Sequence, residues 1–269
     1  MEQPVYTTIR PRAQESSSSS STALLDEKAS SSVTSVTGTH PVGTALSSTH
    51  SAAYAATAPM SLAYRVAKRA LDIAASLFGL LILFPVLLLL TFLVRRDSPG
   101  PIFHRRRVLR GRQPYVEGVA PKTFDAFKFR TMISDADEYL RRNPHLLKEF
   151  QRDYKLREDP RITPLGHKLR TTSLDELPQL LNVLRGQMSL VGPRIISPPE
   201  LSNYGEHASR LLAVKPGLTG LWQVSGRQFI SYPERVRLDM WYIENRSLWL
   251  DVSILLRTVR CVLLRQGAF

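Results

Sequence analysis

Cysteine is almost missing from this 269-residue chain: Cys261 is the only one. An intrachain disulfide is therefore excluded, and so is a zinc site built on several thiolates. Histidine is sparse, with six in all, and none begins a His-Glu-x-x-His zinc pattern. No Walker or dinucleotide glycine loop occurs, and no serine sits in a Gly-x-Ser-x-Gly elbow. These absences leave Asp and Glu as the best carriers of any chemistry. Negative charge is itself in short supply, with 23 acidic residues against 36 basic and a formal charge of +13. Residues 1–64 hold three basic and four acidic side chains, so the whole excess lies beyond them. Such a surface seeks polyanions: nucleic acid, acidic headgroups or phosphorylated substrates.

The first 60 residues lack any sustained period. They are rich in Ser, Thr and Ala, with an unbroken serine run from Ser16 to Ser21. They read as a disordered tail without enough apolar area to order itself. They also lack the basic start and apolar core of a signal peptide. The next stretch lacks charge: Ile73 to Val94 holds no ionisable side chain, with Arg65, Lys68 and Arg69 before it and Arg95 and Arg96 after it. As a helix it would reach ~33 Å at the usual rise, against a hydrocarbon core of roughly 30 Å. The plain reading is one membrane span. Two features favour a helix that enters, breaks at Phe84-Pro85 and returns. Pro85 removes the bond to the Leu81 carbonyl and biases Phe84 away from helix. Basic flanks at both ends put both ends on the cytoplasmic side. The residues alone leave span and hairpin equally open.

Further on, Ser98 to Pro101 reads as a turn. Arg105, Arg106 and Arg107 suit headgroup contact beside a membrane better than a substrate role. Gln113 to Lys122 reads as a loop. Phe124 to Met132 is a strand candidate, with Phe127 and Phe129 pointing one way and Lys128 and Arg130 the other. Those two cations are either solvated or placed to grip a diphosphate. Asp135 to Leu156 has the pattern of one amphipathic helix, with Leu140, Leu147 and Phe150 among many charges. Asp159 to Gly166 reads as a loop, and Lys215 to Arg227 as a glycine-punctuated loop near a ligand. Pro233 to Leu264 reads as helix interrupted near Asn245 to Ser247. Its Trp and Tyr side chains either pack in a core or lie at headgroup depth.

The chain is organised around Thr171 to Leu181. Leu177, Leu180, Leu181 and Leu184 fall at i, i+3, i+4 and i+7 and predict a short helix. Gly186 supplies its stop. Pro178 belongs in the first turn, which makes Asp175 the N-cap; a capping box from Ser173 to Glu176 is the rival. Capping alone would account for both acids. Arg170 just before them, and Gly192-Pro193-Arg194 soon after, bring cations to the same place. Carboxylates and arginines converging there suit phosphate chemistry, with or without a divalent metal.

Five stretches in this order resemble the bacterial sugar transferases, or monotopic phosphoglycosyltransferases. They are Lys68-Arg69-Ala70-Leu71-Asp72 entering the apolar run with Pro85; Lys128 to Met132; Ser173 to Leu180; Met188 to Arg194; and Pro216 to Arg227. The resemblance covers residue 65 to the C-terminus. Two departures stand out: Ile195 replaces a second proline after Arg194, and the loop from Gln113 to Lys122 is long for the family.

The resemblance implies an α+β, mostly helical fold. Residues 1–60 would be the tail, 61–97 a Pro-broken re-entrant membrane helix, and 98–269 a compact cytoplasmic catalytic domain with a small β element and interfacial amphipathic helices. It implies attachment to the bacterial cytoplasmic membrane, with the domain facing the cytoplasm. It also implies transfer of a sugar 1-phosphate from a UDP-sugar to polyprenyl (undecaprenyl) phosphate, releasing UMP, as the first membrane step of exopolysaccharide or other glycoconjugate synthesis. Asp175 would attack phosphorus and carry a covalent sugar phosphate, with Glu176 beside it as metal ligand or proton carrier. Mg²⁺ would be held by Asp175 and Glu176. Lys128, Arg130, Arg170 and Arg194 would balance phosphate charge, with Gln223 and Arg227 as further substrate contacts. Membrane lipids would be partners and nucleic acid would not; a homo-oligomer is left open. The competing reading is a non-catalytic, membrane-anchored basic binder of anionic lipid or nucleic acid.

Overall fold

The computed structural model describes residues 60–153, 156, 158–226 and 229–264. The expected tail up to residue 59, and Arg227, lie outside the described residues.

The uncharged run forms most of one long helix, α1 (Leu62–Asp97). Ser61 caps it, its hydroxyl accepting from the Tyr64 amide at 3.2 Å. The interruption expected at Phe84-Pro85 is not found: both residues are helical and α1 is continuous through them. Proline removes one backbone bond at a cost of about 3 kcal/mol, and docking of both halves of α1 on the domain offsets it. The N-terminal half is fixed by polar bonds. Lys68 pairs with Asp251 at 2.7 Å, Arg69 donates to the Val183 and Leu184 carbonyls, and Asp72 accepts from Ser189 and the Leu190 amide. The C-terminal half buries Leu90 and Val94 against Phe129 and Leu169. On the outer side Leu77, Phe78, Leu81, Ile82, Phe84, Leu88, Leu89 and Phe92 stay exposed. By length and composition α1 is able to cross a membrane.

Among the described residues the fold is mostly helical with two small sheets. β1 (Phe103–Leu109) and β2 (Thr123–Phe129) pair antiparallel, with Phe103 opposite Phe129. β2 is covered on both faces: Phe124 and Ala126 enter the main core, and Phe129 packs under α1. The strand alternation was legible as far as Phe129, where β2 ends. The arginine cluster lies in β1, where Arg106 pairs with Glu200 and Arg107 with Asp125.

The single helix expected over Asp135 to Leu156 is two, α2 (Ala136–Arg142) and α3 (Pro144–Asp153), because Pro144 suits a first turn and breaks an interior. Leu140, Phe150 and Leu156 form a separate small core there. A helix missing from the sequence reading, α4 (Pro164–Thr171), follows; Thr163 caps it by accepting from the Gly166 amide.

Beyond the carboxylate pair come α5 (Gln179–Leu184), β3 (Ser189–Val191), a 3-10 segment over Pro198–His207, α6 (Ala208–Leu212), β4 (Gly217–Thr219), α7 (Leu221–Ser225), α8 (Tyr232–Asn245) and α9 (Leu248–Leu263). β3 and β4 pair parallel. The interruption between α8 and α9 falls where the sequence put it. The main core joins β1, β2, α5, β3, α6, α8 and α9, with Val108, Val183, Met188, Tyr242 and Ile254 essentially without solvent contact.

Candidate active site

Asp175 and Glu176 lie in a 3-10 turn, Leu174–Glu176, entered through Ser173 in the left-handed region at φ 58°. Helix α5 starts only at Gln179, with Pro178 in the cap position. Neither capping arrangement is therefore present: Asp175 is not the N-cap of α5, and Ser173 makes no side-chain cap bond. The reason lies across the fold, because Glu176 is drawn to two cations instead of to the backbone. The buried positions of α5 also differ from the expected leucine stripe. Leu180 and Val183 are buried, Leu181 is exposed, and Asn182 is fully buried. Asn182 accepts from the Phe127 amide and donates to the Asp125 carbonyl, so it ties α5 to β2. That tie sets Lys128 beside the carboxylate turn. Gly186, at φ 75°, does stop the helix.

Lys128 reaches both acids. Its Nζ lies 2.6 Å from Glu176 Oε1 and 3.5 Å from Asp175 Oδ2. Arg194 comes from the other side, with Nη2 at 2.9 Å from Glu176 Oε1. Its placement depends on close backbone approach between two segments. Gly217 donates to the Pro193 carbonyl at 2.7 Å, and a side chain on either Gly192 or Gly217 would collide with the other strand's backbone. Trp222 of α7 then backs the Arg194 guanidinium, 5.9 Å from its ring centroid, while Arg235 of α8 stacks on the same indole at 4.7 Å. Nothing in the sequence links Trp222 or Arg235 to Arg194; the sandwich arises from the packing of α7 on α8.

The two neighbouring acids are pushed in opposite directions. Burial raises the Asp175 carboxyl above its ordinary range; Lys128 opposes this and the charge on Glu176 adds to it. Burial acts to raise Glu176 too, but Arg194 and Lys128, through charge and hydrogen bonds, outweigh it and hold that carboxyl well below the usual range. Glu176 is thus a fixed anion with its oxygens committed. Asp175 is 5 % exposed, and among the described residues its carboxylate accepts no hydrogen bond shorter than the 3.5 Å Lys128 contact.

The other expected site residues divide. Arg170 donates to Thr131 Oγ1 at 2.9 Å and lies close enough for the Asp175 charge to act on it, against a burial effect that lowers its pKa. Arg130 does not join the group. It is buried, and its Nη2 donates to the Val94 carbonyl and to Ser98, so it fastens the C-terminal end of α1. The strand parity that would have set it beside Lys128 no longer applies beyond Phe129. Gln223 sits on α7 and donates to the Leu218 carbonyl at 3.4 Å.

A divalent metal suits this donor set in a limited way. Among the described residues no group of three or more His, Cys, Asp or Glu side chains could hold one. Mg²⁺ bound through one or two carboxylates and substrate phosphates needs no such cage. Asp175 has open oxygen positions for it, whereas Glu176 would have to release Lys128 or Arg194.

The sequence model described as "Bacterial sugar transferase" matches residues 63–265. The chain is 46% identical over 209 residues to the "UDP-galactose-lipid carrier transferase" of Erwinia amylovora, covering 76% of this chain and 42% of that protein. It is 44% identical over 209 residues to the "Undecaprenyl-phosphate galactose phosphotransferase" of Salmonella typhimurium, with the same coverage. It is 42% identical over 208 residues to the "Exopolysaccharide production protein ExoY" of Rhizobium meliloti, covering 76% of this chain and 88% of that one. The chain thus spans less than half the length of the first two relatives and most of the third.

Proposed function

Since the chain belongs to the bacterial sugar transferase family, we propose that it transfers a sugar 1-phosphate from a UDP-sugar to undecaprenyl phosphate at the cytoplasmic membrane, in exopolysaccharide synthesis. The observation that carries this reading is the split between the two acids: one ionised and clamped, the other buried, uncommitted and within reach of Lys128.

In this mechanism Asp175 is the nucleophile. A carboxylate oxygen attacks the β-phosphorus of the UDP-sugar, the phosphoanhydride bond to UMP breaks, and UMP leaves with its electron pair. A phosphate oxygen of the lipid then attacks the same phosphorus, and Asp175 departs as carboxylate. Raised basicity makes Asp175 a better nucleophile once ionised. Glu176, gripped by two cations, is a poor proton carrier; it holds Lys128 and Arg194 in position. Those cations, with Arg170, balance the charge that accumulates on phosphorus oxygens. Mg²⁺, when bound at Asp175 and the diphosphate, would neutralise further negative charge. Gln223 and Arg227 remain proposed substrate contacts.

Membrane attachment through α1 belongs to the same reading. Both halves of this continuous helix are fixed to one domain, which supports a segment embedded from the cytoplasmic side with both ends on that side. A crossing helix would need that domain to meet both leaflets. The galactose named for two relatives makes UDP-galactose the first substrate to try. Membranes holding the wild-type chain are expected to release UMP from a UDP-sugar in the presence of undecaprenyl phosphate, and Asp175→Asn to release none. Turnover by Asp175→Asn at the wild-type rate would reject the mechanism.

A further inference from the structure

A second group of cations lies away from the carboxylate pair, at the opposite end of α5. Arg69 of α1 caps that end by donating to the Val183 and Leu184 carbonyls. Arg112 and Lys215 lie close to it, Arg110 lies close to Lys215, and Arg65 and Arg246 lie close to Arg112. The Lys215 ammonium and the Arg69 guanidinium both come within 4 Å of the space beside Gly186. Gly111 lies against the Val214 and Lys215 backbone, which brings Arg112 alongside Lys215. Arg112 itself adopts a left-handed backbone, φ 56°, a conformation costly for a residue with a side chain.

Negative charge does not balance the group. Asp72 is the carboxylate whose charge acts on Lys215 and Arg112, and its Oδ1 is already taken by Ser189 and the Leu190 amide. Asp251, whose charge acts on Arg246, is occupied by Lys68, Tyr64 and Tyr242. Among the described residues the side chains of Arg65, Arg110, Arg112 and Lys215 have no hydrogen bond or ion pair, and the Nε of Arg246 is buried without a partner. Burial and the charges of Arg112 and Arg69 push the Lys215 ammonium down to about 8. Like charges and backbone strain both act against this arrangement, and an anion would relieve the first. Leu62 and Val66, close to Arg65 along α1, are well exposed, and so is Trp249 at the start of α9, three residues after Arg246.

We infer that Arg65, Arg112, Lys215 and Arg246 form a binding site for the phosphate of an anionic phospholipid headgroup, separate from the transferase site. Unpaired cations beside the exposed apolar start of α1 match a headgroup over acyl chain, where each Lys or Arg contributes about 1 kcal/mol, or about fivefold. The inference rests on the reading that α1 lies in the membrane, and not on Asp175 chemistry.

The test uses the full chain in phosphatidylcholine vesicles holding a minority of phosphatidylglycerol, extracted in mild detergent, with bound lipid quantified by mass spectrometry. Wild type is expected to carry phosphatidylglycerol above its share of the vesicle. Arg112→Gln with Lys215→Gln is expected to lower that enrichment roughly twentyfold, at about fivefold per cation. Arg141→Gln with Arg142→Gln removes the same charge from α2, where both arginines pair with Glu138, and is expected to leave it unchanged. Equal losses in the two double variants, or no enrichment in wild type, would overturn the site. Displacement of the lipid by glycerol 3-phosphate at matched concentration would assign the cluster to soluble phosphate and overturn the lipid reading. Circular dichroism checks that the variants are folded; if the double variant is not, Arg112→Gln alone, at an exposed position, decides by a fivefold loss or none. Alkaline extraction of the same vesicles keeps the two readings apart. Release of wild type into the wash defeats the membrane reading; retention without enrichment defeats only this inference.

Discussion

Adjacent residues of nearly the same chemistry take different parts here, and their surroundings decide which. Two titratable groups driven apart by environment mark a division of roles. The sequence offered Asp175, Glu176, Lys128 and Arg194 as residue types in a suggestive order. It could not say that Lys128 and Arg194 both close on Glu176, because that depends on how α5 is tied to β2 through Asn182. Trp222 was unreadable for the same reason. If its ring steadies Arg194, Trp222→Leu is expected to lower kcat/KM for UMP release about fivefold, the worth of roughly 1 kcal/mol of cation–π contact, when assayed well below a melting temperature that also falls because a buried indole is truncated. Asp239 poses a different residue-scale problem. It is 0 % exposed, and burial raises it to about 7, against the hydrogen bond from Tyr204 and the charge of Arg194. Its folded pKa exceeds the unfolded value of about 3.9, so the folded state keeps the proton longer. Stability is then expected to fall as pH rises from about 4 to 7, by on the order of 4 kcal/mol. Asp239→Asn is expected to flatten that slope, as thermal unfolding across this pH range would measure.

At the scale of elements, legibility followed local physics. The long apolar helix, the stop at Gly186 and the gap between α8 and α9 rest on composition and punctuation, and all were readable. The division of α2 from α3 was also written locally, in Pro144. Helix α4 was passed over because Pro160 and Pro164 suggested a loop, although Pro164 after Thr163 is a good helix start. Arg130 shows the limit of periodicity: one residue past the end of β2, parity stops predicting direction. Pro85 shows another limit, since docking of both flanks holds the helix through a residue that disfavours it. The placement of α1 yields a prediction of its own. In a Cys261→Ser background, Ser61→Cys is expected to react with a membrane-impermeant maleimide only after the cytoplasmic side is opened. Labelling from outside intact cells would mean that α1 crosses the membrane.

For the whole molecule, one domain fastens both halves of an apolar helix and sets two cationic sites against it. At one, Lys128 and Arg194 meet carboxylates; at the other, Arg65, Arg112, Lys215 and Arg246 meet none that is free. Net charge of +13 signalled anionic partners without separating these two places, since segments far apart in the chain assemble each. On the proposed mechanism such a molecule would take a sugar phosphate from a soluble donor and keep it until the lipid acceptor arrives. The most direct test is intact-protein mass spectrometry after incubation with UDP-galactose and Mg²⁺ without undecaprenyl phosphate, followed by peptide mapping. The account predicts a mass gain of one galactose phosphate at Asp175 that vanishes when undecaprenyl phosphate is added. Release of UMP by a protein that carries no such adduct, or an adduct on Glu176 instead, would contradict it.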